Sequence, residues 1–213
     1  MLEPSGLYYP NRFARHFLLG MQEVLGTEGL DTVLGIAGLT TYLGELPPDN
    51  LERKFDFAYI SAISAGLEEW YGARGGRGLA LRIGRAWFAQ GFSSFGAFAG
   101  LSDPAFQALP RASRTRIGLE ALATIFSQRT DQQTSLTVQD AVYLVTVEVS
   151  PMAWGRQADR PVCHALGGLL QECLHRASGG YEYLVHESAC HAAGHDECVF
   201  VINHKPIGQK TGG

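Results

Sequence analysis

One stretch near the C-terminus concentrates side chains that bind metals or take part in catalysis. Residues 186–200, HESACHAAGHDECVF, contain three histidines, three acidic residues and two cysteines. All four cysteines of the 213-residue chain, and six of its seven histidines, lie between Cys163 and His204. Thiolate, imidazole and carboxylate groups are ligands of zinc, so this concentration indicates a metal site, with a disulfide, a catalytic centre or plain burial as alternatives.

The cysteines have a spacing that can bring them together. Cys190 and Cys198 lie on the two arms of a predicted β-hairpin, and Glu187 precedes Cys190 by one short step along the strand. Cys163 stands at the start of the preceding predicted helix, where a helix N-terminus lowers the pKa of a thiol. Three thiolates and a carboxylate would give zinc a four-coordinate site. The chain has no CxxC pair, however, and free cysteines are often small buried hydrophobic residues, so spacing alone leaves both interpretations open.

The histidines of the same region form a rival set of ligands. They are His186, His191, His195 and His204. A neutral imidazole suits zinc as well as a carboxylate does, so residue type leaves open whether a histidine replaces Glu187. A solvent-exposed turn also accommodates His191 and His195 without any ligand role. Cys173 lies in the middle of the predicted helix, on a different face from Cys163, and is interpreted as a core residue.

The elements that must position these residues are helices first and strands later. Apolar residues at helical spacing predict helices over residues 8–26, 29–44, 51–72, 80–101 and 113–130. The glycines of residues 72–78, GARGGRG, predict a flexible turn. β-branched and aromatic residues predict strands over residues 135–150, 181–190 and 196–205, with a helix over residues 162–178.

This order predicts the fold class. The last two predicted strands are joined by a link of hairpin length and not by a crossover, so we expect a mainly antiparallel sheet. The prediction is an α+β fold with N-terminal helices packed on that sheet. A single domain is expected over residues 1–213, with a mostly helical half over 1–110 and a metal-binding half over 111–205.

Composition limits the class of protein and the kind of partner. Hydrophobic residues make up 46% of the chain and charged residues 18%, which is typical of a globular protein. A net charge of −4 gives no support for a nucleic-acid or anionic-membrane partner. The chain shows no signal peptide and no apolar run that spans a bilayer. We therefore expect a cytoplasmic protein without a transmembrane segment, and in that compartment clustered cysteines favour a metal or redox site over a disulfide.

Aromatic residues and arginines suggest where a ligand could bind. The aromatic residues are Trp87, Phe88, Phe92, Phe95 and Phe98, with Tyr143 and Trp154 further along the chain. A pocket of such rings would suit a flat apolar ligand such as a tetrapyrrole or a phenol, although each ring can equally be a core residue. Arg74, Arg77, Arg82 and Arg85 alternate with glycines beside this cluster. They could pair with ligand carboxylates, although such a run is more often a solvated face.

Evidence for an enzyme is lacking in the sequence. The glycines of residues 72–78 have the wrong spacing for a dinucleotide-binding turn, and they follow a helix instead of a strand. Four cysteines without a CxxC pair make a poor ligand set for an iron–sulfur cluster. No Ser-His-Asp set and no pair of carboxylates stands out. Small-molecule binding is therefore favoured over catalysis.

The segments PVCHALGGLLQ and YEYLVHESACHAAGHDECVFVI resemble the 4-vinyl-reductase domain family, over residues 160–202. The family includes a bacteriochlorophyll-biosynthesis protein, stand-alone archaeal proteins and the sensor domains of phenol-responsive transcription activators. The resemblance implies a structural zinc site formed by Cys163, Glu187, Cys190 and Cys198. It also implies the ligand-binding fold of vesicle-tethering subunits, usually as a homodimer, with an apolar pocket between helices and sheet.

Three functions are compatible with this resemblance. The first is a stand-alone, zinc-stabilised small-molecule-binding protein, such as a tetrapyrrole carrier or assembly factor in bacteriochlorophyll biosynthesis. The ligand-binding candidates for it are Trp87, Phe88, Phe92, Tyr143, Trp154, Arg82 and Arg85. The second is a divinyl (proto)chlorophyllide 4-vinyl reductase that uses an external reductant. The third is a sensor or scaffold subunit that binds an aromatic or fatty-acyl effector.

Overall fold

The structure, a computed structural model, describes residues 3–92 and 103–208. Helices fill most of the first half of the chain, and an antiparallel sheet of four strands lies in the second half. The predicted α+β class is therefore confirmed. In chain order the elements are β1 (Tyr8–Pro10), α1 (Asn11–Ile36), β2 (Arg53–Asp56), α2 (Phe57–Phe92), α3 (Pro104–Gln107), α4 (Arg111–Arg129), β3 (Thr134–Val138), β4 (Val142–Val147), α5 (His164–Ser178), β5 (Val185–Ala189) and β6 (Cys198–Asn203).

Strands β1 and β2 form a small antiparallel pair that the sequence did not predict. Both lie inside segments predicted as helix, residues 8–26 and 51–72, because their apolar side chains also fit helical spacing. Tyr9 and Phe55 are partners across the two strands, and both are completely buried. Pairing between segments that are distant in sequence thus overrides the local pattern.

Each long helix bends at a glycine. Gly26 in α1 has φ 74° and Gly72 in α2 has φ 72°, which are values that favour glycine. Gly26 marks the end of the first predicted helix, as expected. Residues 73–78, predicted as part of a turn, are helical instead. Gly76 packs so closely on the other half of α2 that a Cβ there would lie 2.9 Å from the Cα of Glu68, and this contact holds the glycine-rich segment in a helix.

Aromatic rings join α1, α2 and α4 in the core of the helical half. The ring centroid of Tyr9 lies 5.1 Å from that of Phe57 and 6.0 Å from that of Trp87. The Trp87 ring lies 5.2 Å from Phe17 and 5.9 Å from Phe126, both nearly edge to face. Such contacts contribute about 0.5 to 1.5 kcal/mol each beyond the burial of apolar area. The rings therefore fix the positions of these three helices relative to one another.

The larger sheet has the strand order β3-β4-β6-β5, and all neighbouring strands are antiparallel. Side chains alternate along the central strands, so that one face is buried. The buried side chains are Tyr143, Val145 and Val147 of β4 and Cys198, Phe200 and Ile202 of β6. Apolar residues of α4 and α5 belong to the same core and cover this face. The predicted hairpin link between β5 and β6 turns at Gly194, whose φ is 88°.

Helices α2 and α5 touch each other through their backbones. A Cβ at Gly84 of α2 would overlap the carbonyl oxygen of Ala165, and a Cβ at Gly168 of α5 would overlap the carbonyl oxygen of Leu81. Only glycine leaves room for this approach. The contact fixes the first turn of α5, and with it the residue that immediately precedes the helix.

The long helices also bear on whether the chain crosses a membrane. Helix α1 has 26 residues and α2 has 36, so both are long enough to span a bilayer. Within the described ranges, however, no helix combines this length with sufficient apolar character for a membrane span.

Candidate metal centre

Four residues from different elements meet at one position. Cys163 immediately precedes α5, Glu187 lies in β5, Cys190 follows β5, and Cys198 opens β6. One potential ligand atom from each of these residues lies within 4.8 Å of the others. All three cysteines are completely buried. The structure thus brings together the four residues that the sequence singled out, and the group can hold a metal ion.

The three sulfur atoms form a nearly equilateral triangle. Their Sγ–Sγ distances are 3.8 Å for Cys163 and Cys190, 3.6 Å for Cys163 and Cys198, and 3.8 Å for Cys190 and Cys198. Tetrahedral zinc with Zn–S bonds of about 2.3 Å requires sulfur atoms about 3.8 Å apart. All three cysteines are free of disulfides. The triangle therefore has the dimensions of one face of a zinc tetrahedron.

Glu187 is placed to supply the fourth ligand. Its Oε2 accepts a hydrogen bond from the backbone N–H of Cys163 at 2.9 Å. Its Oε1 is buried and has no hydrogen-bond partner among the described residues. Burial raises the pKa of this carboxyl group to about 8. A buried oxygen without a partner is costly, and a cation held by the four residues would satisfy it.

The sulfur atoms are surrounded by groups that stabilise negative charge. Burial raises the pKa of the Cys163 thiol well above its usual value. Contacts with the sulfur atoms of Cys163 and Cys198 lower the pKa of Cys190, so the thiol protons lie on its neighbours. The backbone N–H of His191 donates to the Cys198 Sγ at 3.3 Å, and Ser150 Oγ lies 3.1 Å from the Cys163 Sγ. Such outer contacts orient metal ligands and favour thiolates.

The histidines of the region lie around this centre and not in it. Among the described residues, no histidine nitrogen belongs to the group of ligand atoms. Nδ1 of His191 lies 3.1 Å from the carbonyl oxygen of Asp196, and Nδ1 of His195 lies 3.3 Å from that of Cys190, so both rings brace the turn. Cys173 is completely buried within α5 and takes no part in the group.

A cavity of about 290 Å³ adjoins the metal centre. We call it the α5 cavity because it lies between α2, the start of α5 and β5. Cys163 and Glu187 form part of its wall. Its apolar lining includes Leu81, Leu184 and Phe200, and its polar lining includes Arg77, Arg160, His164 and His186. Burial lowers the pKa of His164, and the charge of nearby Arg77 lowers it further.

The predicted aromatic ligand residues lie away from this cavity. Trp87 and Phe88 are buried in the helical core and do not line the α5 cavity. Phe92 is the last residue of α2, and its side chain lies outside the described part of the structure. Phe95 and Phe98 also lie outside the described residues.

The remaining predicted ligand residues are spread over the molecule. Tyr143 is buried in β4, and its ring stacks on the His204 ring with the centroids 4.2 Å apart. Trp154 is half-buried in the loop before α5. Arg82 is exposed, and Arg85 forms an ion pair with Glu182. The structure therefore does not bring these residues together into one site.

The interior between α4, α5 and the sheet is almost filled. The space left there measures about 10 Å³ and is lined by apolar side chains such as Leu119, Val145 and Phe200. That volume holds about one water molecule. This interior therefore has no room for an organic ligand in the described conformation.

Sequence reasoning missed most of the lining of the α5 cavity. His164 follows Cys163 and His186 precedes Glu187, so each histidine is the immediate neighbour of a predicted metal ligand. Neighbouring residues at a helix start and along a strand point in different directions. A metal site formed at these positions therefore places the adjacent histidines on another wall, which is a signal that the sequence contained.

The comparisons with known proteins come from the sequence family and from the fold. Residues 144–204 match the family model of the 4-vinyl-reductase domain, so the resemblance to that family is confirmed over this segment. No curated protein matches the chain.

Solved structures share the fold at low sequence identity. The phenol-responsive sensory domain of the transcription activator PoxR, solved with phenol, has a TM-score of 0.52 and 20% identity, over 75% of this chain and 79% of that chain. A variant of the Tt H-NOX protein has a TM-score of 0.56 and 14% identity, over 96% of this chain and 100% of that chain. A structure that probes heme distortion in the H-NOX family has a TM-score of 0.53 and 14% identity, over 94% of this chain and 98% of that chain.

Proposed function

We propose that this chain, whose residues 144–204 match the 4-vinyl-reductase domain, is a metal-stabilised small-molecule-binding protein of the sensory type. The observation that carries the proposal is that the α5 cavity and the metal centre share Cys163 and Glu187. A ligand in the cavity contacts the same helix start and the same strand that a metal would hold together. The fold shared with the PoxR sensory domain, solved with phenol, supports this function.

Zinc is the metal that we assign to the centre. Three thiolate ligands favour a soft or borderline cation over magnesium or calcium, and the sulfur spacing fits zinc. A zinc ion would join the start of α5 to the β5–β6 hairpin and so contribute folding free energy. The side chains of Cys163, Glu187, Cys190 and Cys198 would hold it.

The size of the α5 cavity favours a small ligand. Sites for drug-sized molecules have volumes of about 300 to 1,000 Å³. The α5 cavity, at about 290 Å³, lies at the lower end of that range. A molecule with one or two rings fits this volume, and a tetrapyrrole macrocycle does not.

A tetrapyrrole carrier or assembly factor in bacteriochlorophyll biosynthesis is the second candidate. It is supported by the fold shared with H-NOX structures, one of which probes heme distortion. This function requires α4 and α5 to separate from the sheet, because the space between them measures only about 10 Å³. Titration with divinyl protochlorophyllide tests it, and a saturable shift of the pigment absorbance would favour the macrocycle over the smaller ligand.

Native mass spectrometry of gently purified protein tests the leading proposal. We expect one zinc ion per chain together with a bound organic molecule of one or two rings. The variant Gly167→Leu should lose the organic molecule and keep the zinc, because residue 167 lines the cavity and leucine is a good helix former. A zinc-loaded protein that never retains or binds a small molecule would contradict the proposed function.

A further inference from the structure

The α5 cavity is lined by cationic and hydrogen-bonding side chains from three directions. Arg77 comes from α2, Arg160 from the loop before α5, His164 from the first turn of α5, and His186 from β5. The arginine charges are permanent at any physiological pH, so the lining is positive whatever the state of the histidines. Glu187 is the only carboxylate in the described lining, and its oxygens are directed to the Cys163 N–H and the metal centre.

The two arginines of this cavity differ from other arginines of the fold. Arg85 and Arg156 have carboxylate oxygens of glutamates within ion-pair distance. Within the described ranges, Arg77 and Arg160 have neither an ion pair nor a hydrogen bond through the side chain. Two guanidinium groups that face one cavity without partners are available to a ligand. An arginine fork binds a carboxylate with two parallel hydrogen bonds.

The rest of the cavity supplies two further features. Helix α5 has 15 residues, and no side chain caps its N-terminus, so its first N–H groups add positive potential beside the arginines. Leu81 and Phe200 form an apolar surface on the same wall, and Phe200 is completely buried. A ligand that matches both features has a negative group at one end and an apolar ring at the other.

We propose that the α5 cavity binds a small aromatic carboxylate, with the carboxylate between Arg77 and Arg160 and the ring against Leu81 and Phe200. The inference rests on the proposed function and adds the chemical class of its ligand. A loaded zinc centre with three thiolates and one carboxylate has a negative formal charge, which repels the ligand. Contact with two guanidinium groups outweighs this repulsion, because the energy of an ion pair falls with distance and the cavity opens to water.

The arginines have one other use that the structure permits, which is to balance the negative charge of the loaded metal centre. The two roles predict different losses. If Arg77 and Arg160 bind ligand, removing their charge weakens carboxylate binding and leaves the zinc content unchanged. If they only balance the centre, removing their charge weakens zinc binding.

Isothermal titration calorimetry on the zinc-loaded full chain tests the inference with sodium benzoate, phenol and inorganic phosphate. We expect benzoate to bind at least about tenfold more tightly than phenol, and phosphate to bind more weakly than benzoate because it lacks the ring. Arg77→Gln and Arg160→Gln should each weaken benzoate binding about fivefold and leave phenol binding unchanged. Arg74→Gln is the matched control, since Arg74 is an exposed arginine of the same helix that does not line the cavity.

Each other outcome overturns the inference in its own way. Equal affinity for phenol and benzoate, or arginine variants that bind benzoate like the wild type, removes the carboxylate. Phosphate that binds as tightly as benzoate removes the ring. Loss of zinc in Arg77→Gln and Arg160→Gln assigns the arginines to the metal centre. Binding of phenol without preference for benzoate leaves the proposed function intact, whereas the absence of binding by all three probes and of any ligand in native mass spectra contradicts the function itself.

Discussion

Replacing Cys198 by serine is expected to abolish tight zinc binding and to destabilise the chain by more than about 4 kcal/mol. Cys198 supplies one of the three sulfur atoms, and it is completely buried at the start of a central strand. Serine is a poor zinc ligand and leaves a buried hydroxyl group beside two thiols and a carboxylate. Because binding free energy at a structural zinc site is also folding free energy, both losses appear in one measurement.

Thermal unfolding with and without a strong chelator, together with metal analysis, checks this expectation. Wild-type protein should melt at a lower temperature after chelation, and Cys198→Ser should melt low with or without chelator. Cys173→Ser is the matched control, because Cys173 is equally buried but lies outside the metal centre. It should keep one zinc ion per chain and respond to chelation like the wild type. Unchanged melting of the wild type on complete removal of metal would rule out a structural role.

The second large effect is expected at the contact between α2 and α5. Gly168→Ala should destabilise the chain by about 3 kcal/mol or more, because the added Cβ would overlap the carbonyl oxygen of Leu81. A backbone atom cannot move aside as a side-chain end can, so the two helices must separate. In a chain of this size the loss corresponds to a decrease in Tm of about 6 to 12 °C.

Gly167→Ala is the control for that substitution at the adjacent position. A Cβ at Gly167 would lie 3.6 Å from the Leu81 Cδ2, which is an ordinary van der Waals contact. Because alanine is a better helix former than glycine by up to about 1 kcal/mol, this variant should be as stable as the wild type or slightly more stable. Equal melting temperatures for the two alanine variants would show that the helices do not meet as closely as described.

The sequence contained the metal centre more clearly than the fold around it. Cys163, Glu187, Cys190 and Cys198 could be chosen because few cysteines and a recurring spacing restrict the possibilities. Strands β1 and β2 could not be found, since short strands with apolar residues are specified by pairing over a long sequence separation and not by their own pattern.

The ligand site was harder to predict for a related reason. Trp87 has the size and character of a ligand-binding residue, but whether an aromatic ring faces a cavity or the core depends on packing between helices. In the structure its indole N–H donates to the carbonyl oxygen of Phe13, 3.1 Å away, within the core. Arg77 and Arg160 are far apart in sequence, and only the crossing of α2 and α5 brings them to one cavity.

The glycine contact between α2 and α5 also determines which wall of the cavity can move. With backbone against backbone at Gly84 and Gly168, the two helices behave as one rigid body that can neither slide nor rotate without collision. The opposite wall is β5, an edge strand whose register with β6 is interrupted between Glu187 and Ala189. Mechanical displacement caused by an occupant of the cavity is therefore transmitted along β5 to the exposed edge of the sheet, where a second protein could detect it.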